Sequence, residues 1–408
     1  MNCRHCQTPL EHVFLDLGHA PLSNAYLSEA QLHAPETTFP LKIFVCHSCW
    51  LVQTEDYAAA HELFSSGYAY FSSTSQGWLK HAKAYCEKIA EMLRLTRDSF
   101  VIEVASNDGY LLKNFVEMGV PCVGIEPTAS TAEAAERIGV PVLRYFFSAA
   151  TASMLAANGR QADLICGNNV YAHVPDINDF TLGLGILLKP GGTVNLEFPH
   201  LKNMIAQNQF DTAYHEHFSY LSLTAVSQIF EKTGLRVFDL EELPTHGGSL
   251  RIYGCDKDDS RQTTAAVTAM LACEKRLGLQ ASGLYRTFQQ KADKVKNDFL
   301  AFLIEQKRAG KLVAAYGAAA KGNTLMNYAG LKTDLISFVC DAAASKQNKF
   351  MPGSHIPIRH PAELAKRKPD WVVILPWNIS AEVMQQHEQI KAWGGNFVVA
   401  VPELKVLT

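Results

Sequence analysis

The stretch Tyr214-His215-Glu216-His217-Phe218-Ser219-Tyr220 places two imidazoles, a carboxylate and two phenols within seven residues. An imidazole with an ordinary pKa near 6.5 takes up and returns protons close to neutral pH, and carboxyl or phenol groups beside it can donate or orient. A metal site and a polar surface turn are the competing readings. His-Glu-His lacks the H-E-x-x-H spacing that sets two histidines on one helical face. If the stretch is extended, His215 and His217 share one face and Tyr214 and Glu216 the other, so pattern alone does not separate the two imidazoles.

A second group of residues reads as a cofactor site. In Val101-Ile102-Glu103-Val104-Ala105-Ser106-Asn107-Asp108-Gly109-Tyr110 a strand ends in a turn of small residues and a helix begins near Gly109. Small residues let the backbone approach a ligand at the carboxyl end of a first strand. Glu103, Ala105, Asn107 and Gly109 line that turn. Glu126 follows Glu103 by 23 residues, at the end of the next strand, where an acid can accept hydrogen bonds from a ribose diol. The turn departs from G-x-G-x-x-G, which argues against a pyrophosphate on the helix. A ligand with a ribose and no phosphate is S-adenosylmethionine. Further on, Asn168-Asn169 end a strand with amides suited to the amino-acid end of such a cofactor. His173 comes just after; alone it would read as a capping or core histidine.

Ten cysteines include two pairs, Cys3-x-x-Cys6 and Cys46-x-x-Cys49, separated by 39 residues. Two such knuckles complete a tetrahedral site of four thiolates, the geometry of structural Zn2+, and a closed site leaves no position for catalysis. The loop between them exceeds compact zinc-ribbon spacing and must carry structure of its own. His5 and His47 lie inside the knuckles as poorer ligands, and unligated or redox-active thiols are the alternative. The other six cysteines read as small buried hydrophobes.

These groups need elements to hold them. Three regions separate, with boundaries expected at 1–74, 75–256, 257–310 and 311–408 once a helical linker is counted. The first carries both cysteine pairs and shows little periodicity. The second alternates strands (Phe100–Ala105, Cys122–Ile125, Leu164–Cys166, Thr193–Phe198, Arg236–Glu241, Ser249–Gly254) with helical stretches, which predicts a parallel α/β sheet covered on both faces. The last two strands have no helix between them and predict a hairpin with one antiparallel strand. Residues from about 260 to 308 have apolar positions near helical spacing and predict linking helices. A smaller Rossmann-like βαβ unit follows, with strands over Leu312–Tyr316, Leu335–Cys340 and Trp371–Leu375. Its first turn, Gly317 to Gly322, has the span of a Walker loop, but Asn323 stands where the essential lysine belongs. Lys321 and the helix start can instead hold a diphosphate, a small-residue packing turn being the alternative; Tyr316 and Asn323 flank it, and Asp341 and Asn378 follow the next two strands.

At 408 residues, 48% of them hydrophobic and with a net charge of −3, the chain is an ordinary globular protein of two or three domains. It lacks the basic stripe of a nucleic-acid binder. No apolar run approaches the ~20 residues of a membrane span, and with no secretory signal a cytoplasmic location is the default.

Glu103 to Gly109, Glu126, Asn168-Asn169 and Lys189-Pro190-Gly191-Gly192 together resemble a class I S-adenosylmethionine-dependent methyltransferase. With the cysteine pairs, the Tyr214–His217 motif and the terminal unit, the chain resembles, over essentially its full length, the sugar C-methyltransferases of deoxysugar nucleotides. Ala105 departs from the pattern, standing at the first glycine of E-x-G-x-N-x-G. The resemblance implies methylation of a carbon next to the ketone of a nucleotide-linked 4-keto-deoxysugar. It assigns His217 as general base, accompanied by Tyr214 and Glu216, with His173 beside the substrate and Tyr68 over the site. It suggests that His246 and Arg251, in Thr245-His246-Gly247-Gly248-Ser249-Leu250-Arg251, contact substrate; a plain glycine turn is the alternative there. Methyl transfer to another small molecule, a non-catalytic zinc-stabilised scaffold and an RNA methyltransferase are the competing functions, the last disfavoured by net charge. Oligomeric state is not readable.

Overall fold

The computed structural model describes residues 1–55, 57 and 71–407. Tyr68 therefore lies outside the described residues. In the N-terminal part, β1 (His12–Ala20), β2 (Phe39–Val45) and β3 (Val52–Thr54) form an antiparallel sheet. Leu41, Ile43 and Val45 alternate inward along β2, as a half-buried strand should. Two register shifts in β1, at Val13/Leu15 and Asp16/His19, break the alternation there. This is why the segment looked unpatterned in the sequence.

The central sheet is built from β4 (Val101–Val104), β5 (Cys122–Ile125), β6 (Val142–Leu143), β7 (Ala162–Asn168) and β8 (Leu188–Pro199). Then β9 (Ser219–Tyr220) leaves to pair with β3 in the N-terminal sheet, before β10 (Leu235–Leu243) and β11 (Ser249–Asp256) return. The order is β10-β11-β8-β7-β4-β5-β6, with β11 antiparallel to both neighbours and the remaining pairs parallel. This is the Rossmann-like sheet that the resemblance implies, including the antiparallel strand that the hairpin reading required. All four residues of β4 are buried, as a strand covered on both faces demands. The strand order reverses between β4 and β7, so the crevice at their carboxyl ends is a topological switch point, where open α/β sheets bind ligands.

The expected linker consists of helices Ala265–Leu277, Ser282–Arg286 and Phe288–Arg308. It is more than a connection. Phe288 and Phe299 lie in one core with Ile43 of β2, Phe210 of the central part and Leu325 and Met351 beyond. Phe14 stacks on Phe288 at 4.6 Å. The third sheet contains β12 (Val313–Tyr316), β13 (Val339–Cys340), β14 (Ile358–Arg359), β15 (Trp371–Ile374), β16 (Asn396–Val399) and β17 (Lys405–Leu407) in the order β14-β13-β12-β15-β16-β17. Three of these strands escaped the sequence reading, and Leu335–Cys340 shrinks to two residues. Strands of two to four residues span too few alternations to leave a pattern. Among the described residues no helix is long and apolar enough to cross a membrane.

Candidate active site

The turn after β4 takes the left-handed conformation three times: at Ala105 (φ 56°), Asn107 (φ 49°) and Gly109 (φ 77°). Gly109 is required twice over, since a Cβ there would also lie 3.0 Å from that of Ala135. Glu126, at the end of β5, fixes the turn. Its Oε2 accepts from the Asn107 N–H (2.9 Å) and its Oε1 from the Thr128 N–H (2.9 Å). Each oxygen keeps a lone pair for a ligand. From upstream, the N–H groups of Ser72 and Ser73 donate to the Asn107 and Asp108 side chains, each at 3.0 Å.

Glu103 lies beneath this turn. Burial, then the neighbouring Glu126 and Asp108, push its carboxyl well above the usual range. One oxygen each of Glu103 and Asp108, both amide atoms of Asn168 and the Asn169 Oδ1 are buried with no partner among the described residues. Buried polar atoms are rarely left this way. Three acids and unsatisfied amides at one crevice suit a ligand that brings positive charge and several donors. S-adenosylmethionine, with an ammonium, a sulfonium and a ribose diol, meets that description. Glu103, Asn107, Glu126, Asn168 and Asn169 are the residues that would hold it.

The side of the crevice toward β8 and β11 was only partly legible. Asn169 Nδ2 donates to His246 Nε2 (2.9 Å), and both residues have left-handed backbones. The Trp78 ring meets that of His246 edge-on at 5.0 Å and stacks on His81 at 4.9 Å. His81 and Arg251 both reach Glu197 Oε2, at 2.8 and 2.5 Å, while Thr245 donates to Oε1 at 2.8 Å. Burial works against ionisation of Glu197, but the His81 hydrogen bond, the Arg251 charge and Thr245 outweigh it and hold the acid at about 2. Arg251 also lies over the Tyr85 ring at 4.3 Å. Its guanidinium is thus held between Glu197 and Tyr85, where it anchors the hairpin that presents His246. Trp78, His81 and Glu197 carried no motif in the sequence; the i, i+3 pairing of Trp78 and His81 on helix Gln76–Leu93 was the available signal.

The Tyr214–His217 stretch is a tight turn, closed by the His217 N–H donating to the Tyr214 carbonyl at 2.9 Å. The expected alternation of side chains therefore fails, and the two imidazoles part company. His215 bonds the Pro40 carbonyl at 3.1 Å against the Phe39 ring. His217 turns inward, its ring 3.9 Å from that of Tyr214, 4.7 Å from His173 and 5.9 Å from Tyr220. His217 Nδ1 donates to the Thr212 carbonyl at 2.9 Å. A carbonyl only accepts, so Nδ1 carries the proton and Nε2 the lone pair. Burial, then His173, push the His217 pKa well below the ordinary value. Burial also lowers His173, to about 4, against a hydrogen bond to the Glu216 backbone. Glu216 is pushed up to about 7 by burial, with an Asn24 contact opposing.

All three parts of the chain grip this turn. The Thr54 hydroxyl donates to the His217 carbonyl (3.2 Å), the Thr324 hydroxyl to the Ala213 carbonyl (2.8 Å) and the Trp377 indole to Asp211 (2.8 Å). Lys321 lies over the Trp377 ring at 4.5 Å and donates to Asn378 at 2.7 Å. Its charge reaches Asp211, His217 and His246. The nearby Asn323 is fully buried with both amide atoms unpaired among the described residues. Tyr316, by contrast, packs against the His387 ring at 4.5 Å in the core of the third sheet.

The four sulfurs of Cys3, Cys6, Cys46 and Cys49 lie within 4.8 Å of one another, with Cys3–Cys49 and Cys6–Cys46 at 3.5 Å. Tetrahedral Zn–S bonds of about 2.3 Å place sulfurs about 3.8 Å apart, so the set fits Zn2+. His5 turns away to Asn178 at 2.8 Å.

Three family models match the sequence: a zinc binding domain over residues 3–64, a methyltransferase domain over 78–240 and a C-methyltransferase C-terminal domain over 244–402. The chain is 33% identical over 406 residues to the C-methyltransferase NovU of Streptomyces niveus, covering 100% of this chain and 96% of that protein. Among solved structures, the PH0226 protein of Pyrococcus horikoshii aligns with a TM-score of 0.37 at 13% identity, over 49% of this chain and 100% of its own. An S-adenosylmethionine-dependent methyltransferase of Clostridium acetobutylicum aligns with a TM-score of 0.35 at 11% identity, over 43% and 91%.

Proposed function

The chain belongs to the S-adenosylmethionine-dependent C-methyltransferase family, and within it we propose that the substrate is a nucleotide-linked 4-keto-deoxysugar, methylated on a carbon next to the ketone after His217 removes its proton. The observation that carries this reading is the geometry of His217: buried, with Nδ1 held by the Thr212 carbonyl and Nε2 free of that bond, in surroundings that disfavour the protonated ring. A carbon alpha to a ketone is acidified because loss of its proton gives an enolate. A base of low proton affinity can take that proton when the charge it creates lies beside the new imidazolium in a site of low dielectric. Tyr214, whose ring packs on His217, would donate toward the enolate oxygen, while His173 spends its one proton on the Glu216 backbone and would shape the pocket beside it. S-adenosylmethionine held at the crevice supplies an electrophilic methyl group on sulfur. Lys321 would meet the diphosphate side of the substrate with the buried Asn323 amide behind it, and His246, fixed by Asn169 and Trp78, lies between Lys321 and the cofactor crevice. Zn2+ on the four cysteines holds the N-terminal sheet that pairs with β9.

Isotope exchange tests the proposal. Candidate 4-keto sugar nucleotides incubated with the protein in deuterated water should exchange one alpha hydrogen, and His217→Asn should abolish exchange while S-adenosylmethionine affinity stays within about twofold. Exchange that persists undiminished in His217→Asn would remove the assignment of the base.

A further inference from the structure

A line of polar groups runs from the catalytic turn through the N-terminal domain to the loop of the third sheet. Asn24 Nδ2 faces Glu216 Oε1 at 2.7 Å, Asn24 Oδ1 faces the Tyr26 hydroxyl at 3.3 Å, and that hydroxyl donates to the Ala318 carbonyl at 2.6 Å. The Ala318 carbonyl also accepts from Lys346 Nζ at 2.8 Å. A carbonyl has no proton to give, so this end of the line has a fixed polarity. Tyr26 has one proton, and the shorter bond to Ala318 uses it. With Nδ2 toward Glu216, Asn24 Oδ1 then looks at an oxygen that has nothing left to donate. Amide ends are assigned by their hydrogen bonds. Turned over, Asn24 Nδ2 donates to the Tyr26 oxygen and Oδ1 faces Glu216, which completes the line if Glu216 supplies a proton.

We propose that Asn24 is a positioning residue which, with Tyr26, holds Glu216 as a neutral carboxylic acid donating to the Asn24 carbonyl, and that the amide turns over when Glu216 ionises. Burial already favours the neutral acid, raising Glu216 to about 7. The groups facing Glu216 agree. From the N-terminal loop come Asn24 and Tyr26; from the central part come His173, bonded to the Glu216 backbone, and His217, one residue along; Lys346 and its partner Asp341 lie behind Tyr26 on the third sheet's side. A neutral acid leaves His217 unprotonated, since no carboxylate raises its proton affinity. It also spares an enolate the repulsion of a second negative charge. The inference rests on reading this turn as the catalytic face, but the titration that decides it needs no substrate, so it can fail separately.

The test is a titration of full-length, zinc-loaded protein carrying 13C at the glutamate carboxyls, with the Glu216 signal assigned by its loss in Glu216→Gln. In the wild type the midpoint should lie near neutrality. In Tyr26→Phe the amide loses its acceptor, turns its NH2 to Glu216 and favours the carboxylate, so the midpoint should fall by roughly one pH unit or more. The alkaline limb of kcat/KM for methyl transfer should move down with it, a shift that mere loosening would not produce. A wild-type midpoint in the ordinary range near 4.3, or an unmoved or raised midpoint in Tyr26→Phe, overturns the proposal. The wild-type measurement decides even if the variant unfolds.

Discussion

The central and C-terminal sheets use one device for opposite charges. In each, an acid at the end of the second strand ties two loops together through backbone N–H groups. Glu126 accepts from Asn107 and Thr128, and Asp341 accepts from Ala318 (2.7 Å) and Ala343 (2.8 Å). The surroundings differ. Glu126 shares its crevice with Glu103 and Asp108, whereas Asp341 has Lys346 at 3.6 Å and the loop it latches at Ala318 leads into Lys321. The latch is common; the charge around it differs. One crevice suits a sulfonium and an ammonium, and under the proposed function the other would take the diphosphate. An acid at that strand end is therefore not by itself a sign of a bound ribose.

The comparison can be broken first at the chemistry, which it places on the central side alone. His217→Asn should lower kcat/KM by roughly 10²- to 10⁴-fold, the range for losing a general base, with S-adenosylmethionine affinity by calorimetry nearly unchanged. Next come the charges. Lys321→Glu should weaken sugar-nucleotide binding by roughly tenfold or more, as loss of one charge-assisted contact costs about 1.5–3 kcal/mol, and leave cofactor affinity alone. Glu126→Gln should do the reverse; equal effects on both ligands would dissolve the distinction.

Acid sharpens it further. Glu197 is depressed from 4.5 to about 2, so its stabilising contribution is complete above the unfolded value and is lost as pH falls between them. That window is worth about 3 kcal/mol. Glu197→Gln should be destabilised at pH 7 and lose less further stability over this interval than the wild type, followed by chemical denaturation. The smallest effect belongs to Ala105. Its left-handed φ of 56° strains a residue with a Cβ, so Ala105→Gly should gain about 0.5–1 kcal/mol with cofactor binding retained.

Legibility followed the range of the interactions. The cysteine knuckles, the turn after β4 and most of the central strands were readable because local spacing dictates them. Ala105 reads as a small residue that lets the backbone approach a ligand, but its left-handed conformation matters more. His215 and His217 could not be told apart, because a single turn hydrogen bond overrides the alternation that an extended reading assumes. Trp78, His81 and Glu197 converge from a helix and a strand more than 100 residues apart, and no window of sequence contains such a meeting. Arg251 looked available because a sequence does not show that Glu197 and Tyr85 enclose it.

The pairing of β9 with β3, and the Thr324 hydroxyl on Ala213, set a rule for anyone recombining such enzymes. A chimaera that exchanges the last hundred residues keeps the β9–β3 pairing but replaces Thr324, the contact that holds the turn carrying the proposed base. Donor and recipient must match at that contact, or the hybrid will recognise its ligand and still fail to turn over.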